Sequence, residues 1–190
     1  MPLNVPNTLT LLRIILIPVL VVVFYVPFES HLLVAALIFG VAAITDWFDG
    51  YLARKLGQMT AFGAFLDPVA DKLMVVTALV LLVERHDTLL FTLAATVIIG
   101  REIVVSALRE WMAELGERTS VAVSYIGKVK TAFQMVAITA LLAIDPARDG
   151  NELLALSYLL LYAAAVLTLW SMFVYLQAAW AIIKDKDATV

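Results

Sequence analysis

The chain has 190 residues, 63% of them hydrophobic and 15% charged, and its mean hydropathy of +0.98 lies well beyond the roughly half-apolar make-up of soluble domains. A formal net charge of -3 argues against a nucleic-acid partner, and the absence of cysteine excludes disulfides and thiolate metal sites, so any metal must be held by oxygen or histidine. The expected class is an all-α membrane protein, with residues 1–190 forming one domain.

The amino terminus has no cationic stretch before its apolar run and no small-residue cleavage site after it, and so reads as mature protein. Helices are predicted over about 8–27, 32–54, 62–83, 88–112, 125–144 and 153–182, six spans joined by short polar turns. Only Leu153 to Ile183 is an unambiguous long uncharged run; ionisable residues shorten the others, so hydropathy alone undercounts them. In the first span Asn7 or Thr8 is placed to cap the start, and Pro18 is expected to kink the helix by removing a backbone donor. Ala35-Ala36, Ala42-Ala43 and Ala163-Ala164-Ala165 permit close helix packing, either inside the bundle or in a dimer contact, and a homodimer is the expected assembly. His31 and His86 fall in predicted outer loops and read as solvated. Trp47 reads as facing lipid or a neighbouring helix, and Trp111 and Trp180 as interfacial anchors.

Alternating the spans across the membrane puts Arg13, Arg54, Lys55, Lys72, Arg101, Arg109, Arg118, Lys128, Lys130, Lys184 and Lys186 at one face, against Arg85 and Arg148 at the other. That asymmetry predicts cytoplasmic termini. Asp46, Asp49, Asp67 and Asp71 fall toward the same face. Asp46 and Asp49 share one side of the second helix at i and i+3, and Asp67 and Asp71 share one side of the third at i and i+4. A short turn makes these helices antiparallel neighbours, so the four carboxylates are expected to converge, and charges at such depth need a cavity, a partner or a metal. Oxygen-only ligands favour Mg²⁺, Mn²⁺ or Ca²⁺.

The segment from Asp46 through Asp49-Gly50, Ala53-Arg54 and Gly63 to Asp67 and Asp71 resembles the signature D-x2-D-G-x2-A-R-x8-G-x3-D-x3-D of the CDP-alcohol phosphatidyltransferases. Eight specified residues would coincide by chance on the order of once in ten billion starts. Asn7-Thr-Leu-Thr10-Leu-Leu-Arg13, Arg101-Glu102 and Gly127-Lys128-Val-Lys130-Thr131-Ala-Phe-Gln134 are similar to the bacterial phosphatidylglycerophosphate synthases.

This resemblance implies transfer of the phosphatidyl group from CDP-diacylglycerol to glycerol 3-phosphate, assisted by two divalent cations, Mg²⁺ or Mn²⁺, in the bacterial inner membrane with the active site facing the cytoplasm. It implies that Asp46 and Asp67 bridge both ions, that Asp49 completes the first site, and that Asp71 contributes to the second and is the general base. Gly50, Arg54, Thr60, Asn7 and Thr10 are implied to bind CDP-diacylglycerol. For the acceptor phosphate the candidates are Arg118, Lys128 and Lys130, with Arg101 and Arg109 behind them. Two bland alternatives stand beside these roles: Arg118, Lys128 and Lys130 read also as cytoplasmic cations binding anionic lipid heads, and Arg101 with Glu102 reads equally as a structural ion pair. Other acceptors (phosphatidylglycerol, serine or inositol) and a divalent-cation transporter are the competing functions.

Overall fold

A computed structural model describes residues 5–56, 60–114, 116, 125–145 and 151–187. Among them the secondary structure is entirely helical: α1 (Val5–Tyr25), α2 (His31–Leu56), α3 (Ala61–His86), α4 (Leu89–Glu114), α5 (Tyr125–Ala143) and α6 (Asn151–Asp187). All six predicted helices are present, with ends displaced by at most five residues. Helix α1 begins at Val5, so Asn7 and Thr8 lie inside its first turn instead of capping it, and the helix runs through Pro18 without interruption.

Among the described residues three helical stretches are long and apolar enough to cross a membrane, Asn7–Tyr25, Leu89–Glu114 and Glu152–Trp180, while His31–Asp46 and Val129–Ala143 are shorter apolar stretches. Many large apolar side chains stay exposed, among them Ile15 and Val22 on α1, Leu37 and Ile44 on α2, and Val166 and Trp170 on α6. In water such surfaces would be a liability; against lipid tails, which are as apolar as leucine, they cost nothing. Hydroxyls within these helices bond back to carbonyls of the preceding turn, as Thr96 does to Thr92, Ser106 to Glu102, Thr139 to Met135 and Ser157 to Leu153, so that these hydroxyls are satisfied without water. The chain is a membrane protein.

Two units can be distinguished. The first comprises Met1–Asp87 with Met135–Tyr158, the second Thr88–Gln134 with Leu159–Val190. In the first, α1 packs against both α2 and α3, and α2 against α3. Ala35, Ala36 and Ala42 of α2 are buried there beside Phe39, so these small residues serve internal packing. Helix α3 is held at both ends: Thr60 caps its start by accepting the Gly63 N–H at 3.0 Å, and Asp87, left-handed at φ 36°, donates its N–H to Val83. In the second unit, Val105, Leu108 and Met112 of α4 pack with Tyr175 and Ala179 of α6, and Ala164 and Ala165 are buried. Trp111 and Trp180 are exposed, as anchors at an interface would be.

The two histidines differ from the sequence expectation. His86 belongs to the last turn of α3 and is only 9% exposed; its Nδ1 lies 2.6 Å from the Tyr158 hydroxyl, with the two rings edge to face. His31 opens α2 and its Nδ1 is 3.1 Å from the Phe24 carbonyl oxygen. A polar partner within reach lets a titratable ring be buried where composition alone suggests a solvated turn. Tyr158→Phe keeps the ring contact but leaves a buried nitrogen without its hydroxyl, so the variant should lose about 1–3 kcal/mol of stability, read as a lower thermal midpoint in detergent; an unchanged midpoint would show the pair to be idle.

Candidate active site

The site is built on the first two turns of α1. Asn7, Thr10 and Arg13 recur every three residues, which keeps them within one face of the helix. All three are buried, at 4%, 0% and 1% exposure, while Thr8, Leu12 and Ile15 on other faces are open. This polar stripe in an otherwise apolar helix faces the aspartate-bearing helices.

Arg13 is the hinge of the arrangement. Its Nη1 donates to Asp46 Oδ1 on α2 at 2.5 Å, and its Nη2 lies 3.7 Å from Asp67 Oδ1 on α3. Thr10 donates its hydroxyl to that same Asp67 oxygen. The Asp46 and Asp67 side chains remain between a third and two fifths exposed, whereas the Arg13 side chain is almost wholly enclosed. The carboxylates therefore reach an opening, with the guanidinium behind them.

A second link joins α1 to the start of α3. Thr60 Oγ1 donates to Asn7 Oδ1 at 3.1 Å while accepting the Gly63 N–H. Gly63 explains itself here: a Cβ at that position would stand 2.5 Å from Asn7 Oδ1 and 3.1 Å from Thr60 Oγ1. The motif glycine is thus a clearance requirement for Asn7. Pro68 follows Asp67 directly inside α3, removing the N–H that would bond one turn back, between the two aspartates of the motif.

The expected convergence of the four carboxylates is seen for Asp46 and Asp67. Asp71 lies one turn beyond Asp67 on α3 and is half-buried, and among the described residues no three acidic or imidazole groups gather closely enough to hold a metal ion. The side chains of Asp49, Gly50 and Arg54, and of Trp47, lie outside the described residues. What is described suits a hard divalent cation by two criteria. The donors are carboxylate and hydroxyl oxygens, and Asp46 and Asp67 already bracket one positive charge from two helices.

The second unit holds the basic candidates. Arg101 Nη1 is 2.7 Å from Glu102 Oε1, the ion pair anticipated from sequence, and Lys130 Nζ is 3.8 Å from the same oxygen. The guanidinium groups of Arg101 and Arg109 lie over the Tyr175 ring at 5.7 and 5.6 Å from its centroid, close enough for cation–π attraction. Lys130 is only 2% exposed, and among the described residues its Nζ has no partner within hydrogen-bonding distance. Arg118 and the Lys128 side chain lie outside the described residues.

From sequence Arg13 is one of the cytoplasmic cations and the end of a family-like stretch, with no role of its own. The signal that could have found it is its depth, an ionisable residue two turns inside an apolar span, which by default marks a site. Asn7 and Thr60 carry a positioning role that the motif does not state. If clearance for Asn7 is why position 63 is glycine, Gly63→Ala should cost about 1–3 kcal/mol, as overpacking does. In an Asn7→Ala background the same change should cost much less, and additive thermal shifts in this double-mutant cycle would refute the explanation.

Residues 3–170 match the profile of the CDP-alcohol phosphatidyltransferase family. Among curated relatives, a Yersinia enterocolitica protein is 57% identical over 180 residues, covering 95% of this chain and 97% of its own. A Salmonella choleraesuis protein is 57% identical over 186 residues, 98% of this chain and all of its own, and a Haemophilus influenzae protein is 55% identical over 98% of both. Each of the three is named CDP-diacylglycerol–glycerol-3-phosphate 3-phosphatidyltransferase. On a family profile spanning most of its length and relatives matched nearly end to end, the chain belongs to the CDP-alcohol phosphatidyltransferase family.

Proposed function

We propose that this protein transfers the phosphatidyl group of CDP-diacylglycerol to the hydroxyl of glycerol 3-phosphate, releasing CMP and phosphatidylglycerophosphate. The observation that carries this reading is the complete aspartate motif, two of whose members, Asp46 and Asp67, face one cation from separate helices. The identity of more than half of all residues with relatives named for that reaction supports the choice of acceptor.

Asp46, Asp49, Asp67 and Asp71 would hold two divalent cations, Mg²⁺ or Mn²⁺, which when bound supply Lewis-acid polarisation of the pyrophosphate and neutralise the departing CMP. Asp71 takes the proton from the acceptor hydroxyl; that oxygen bonds to the phosphatidyl phosphorus as the bond from phosphorus to the CMP oxygen breaks. Gly50 lets the nucleotide approach the helix backbone, Arg54 offers a planar fork to phosphate or to the cytosine carbonyl, and Thr60, Asn7 and Thr10 bind the same substrate. Lys130, with Arg118 and Lys128, binds the acceptor phosphate. Support for Lys130 comes from its charge. Among the described residues Arg101 and Arg109 act on it beside one carboxylate, Glu102, and such an excess of buried positive charge favours a dianion.

In this reading the chain is one domain with six transmembrane helices, embedded in the bacterial inner membrane as a homodimer. Eleven basic residues on the motif side against two on the other support an active site facing the cytoplasm.

The test is CMP release by purified protein given CDP-diacylglycerol and Mg²⁺ with each candidate alcohol. Turnover is expected with glycerol 3-phosphate; turnover only with phosphatidylglycerol, serine or inositol would reassign the acceptor. Asp71→Asn removes the base but keeps an oxygen ligand, so turnover should fall by roughly two to four orders of magnitude while CDP-diacylglycerol still binds. Loss of binding together with turnover would make Asp71 a metal ligand alone.

A further inference from the structure

We propose that Arg13 is the resident counter-cation of the metal site: its guanidinium holds Asp46 and Asp67 together while no divalent ion is bound, and competes with that ion for the same carboxylate oxygens. The inference rests on the reading that these aspartates hold metal. It deepens that reading by assigning to the chain itself a control on how tightly the metal is held.

The argument starts from charge. Two carboxylates brought from different helices to one depth of a membrane protein repel each other and are costly without a counter-charge. A guanidinium cannot shed its proton in a protein, and its donors form a rigid fork. Its charge can therefore be displaced but not titrated away. At 2.5 Å from Asp46 Oδ1 and 3.7 Å from Asp67 Oδ1, the fork engages two of the carboxylates that would hold the metal. The exposures give the direction of approach, because the carboxylates are partly open while the Arg13 side chain is enclosed behind them. A divalent ion arriving from the open side must either dislodge the guanidinium or sit beside it, and both outcomes weaken its binding. The same charge keeps the metal-free site assembled, with Thr10 fixing the orientation of Asp67 from the same helix. Arg13 is thus a positioning residue whose effect on metal affinity is opposite in sign to that of a ligand.

The test is Mn²⁺ titration of the purified full-length protein in detergent, without lipid substrate, by calorimetry. Arg13→Gln should bind Mn²⁺ about tenfold more tightly, within the usual range of coupling between competing ligands. Its thermal midpoint should also rise more on saturation with Mn²⁺ than that of the wild type. Arg13→Lys, which keeps the charge, should stay close to wild type. Equal or weaker Mn²⁺ binding by Arg13→Gln overturns the proposal, as does equal tightening in both variants, which would point to shape instead of charge. Should Arg13→Gln fail to fold, nitrogen NMR of arginine-labelled wild type decides: Mg²⁺ must shift the guanidinium signal that is missing from Arg13→Lys, and a signal unmoved at saturation overturns the proposal. A wild type that binds no Mn²⁺ removes the metal reading and this inference together. A wild type that binds it normally, with no tightening in Arg13→Gln, removes only the role of Arg13.

Discussion

The first unit is organised around one buried guanidinium placed between two carboxylates. Arg13 comes from α1, Asp46 from α2 and Asp67 from α3, so one side chain couples the three helices at the depth where the chemistry is expected. In a lipid-embedded bundle apolar burial gives little preference for one neighbour over another, because lipid tails solvate leucine as well as protein does. Polar contacts then carry more of the specificity. An enclosed arginine accepts few arrangements, since leaving it unpaired would cost several kcal/mol. The stripe formed by Asn7, Thr10 and Arg13 accordingly sets the rotation of α1 about its own axis.

The same constraint extends to the start of α3. Thr60 joins cap and clasp in one hydroxyl, accepting from Gly63 and donating to Asn7, and Gly63 leaves the space that Asn7 fills. The helix that carries Asp67 and Asp71 is therefore positioned at its first turn by α1, before the first aspartate is reached. Asn7, Thr10 and Thr60, which are proposed to bind the nucleotide, also hold the frame.

Much of this was legible in the sequence because membrane helices announce themselves by long apolar stretches, and because the aspartate spacing is periodic with the helix. The six helices emerged with their order and approximate ends, including α2 and α3, whose ionisable residues depress their hydropathy. Less legible were features decided by contacts between distant segments. Asn7 looked like a cap because a polar residue after Pro6 commonly is one, yet the helix begins earlier and the side chain is needed by Thr60. His86 looked like a loop residue because its neighbours are charged, and only the return of Tyr158 from α6 makes its burial tolerable. Arg13 looked like topology. Its pairing depends on where α2 and α3 place Asp46 and Asp67, which local sequence does not encode.

The second unit uses charge in the opposite sense. Around Glu102 stand Arg101 and Lys130, and Arg109 shares the Tyr175 ring with Arg101, so three cations answer one carboxylate. In the first unit a single cation answers two carboxylates. Counted over these described side chains alone, the first cluster carries an excess of negative charge and the second an excess of positive charge. Such imbalance is costly in a low-dielectric setting and is tolerable where ligands complete it. In the proposed reaction a divalent cation would answer the first imbalance and a phosphate dianion the second. The two imbalances correspond in sign to the two kinds of species that the proposed reaction needs, a metal to polarise the pyrophosphate and a phosphorylated alcohol to accept the phosphatidyl group. The protein's affinity for its reactants would then be present in advance as uncancelled charge.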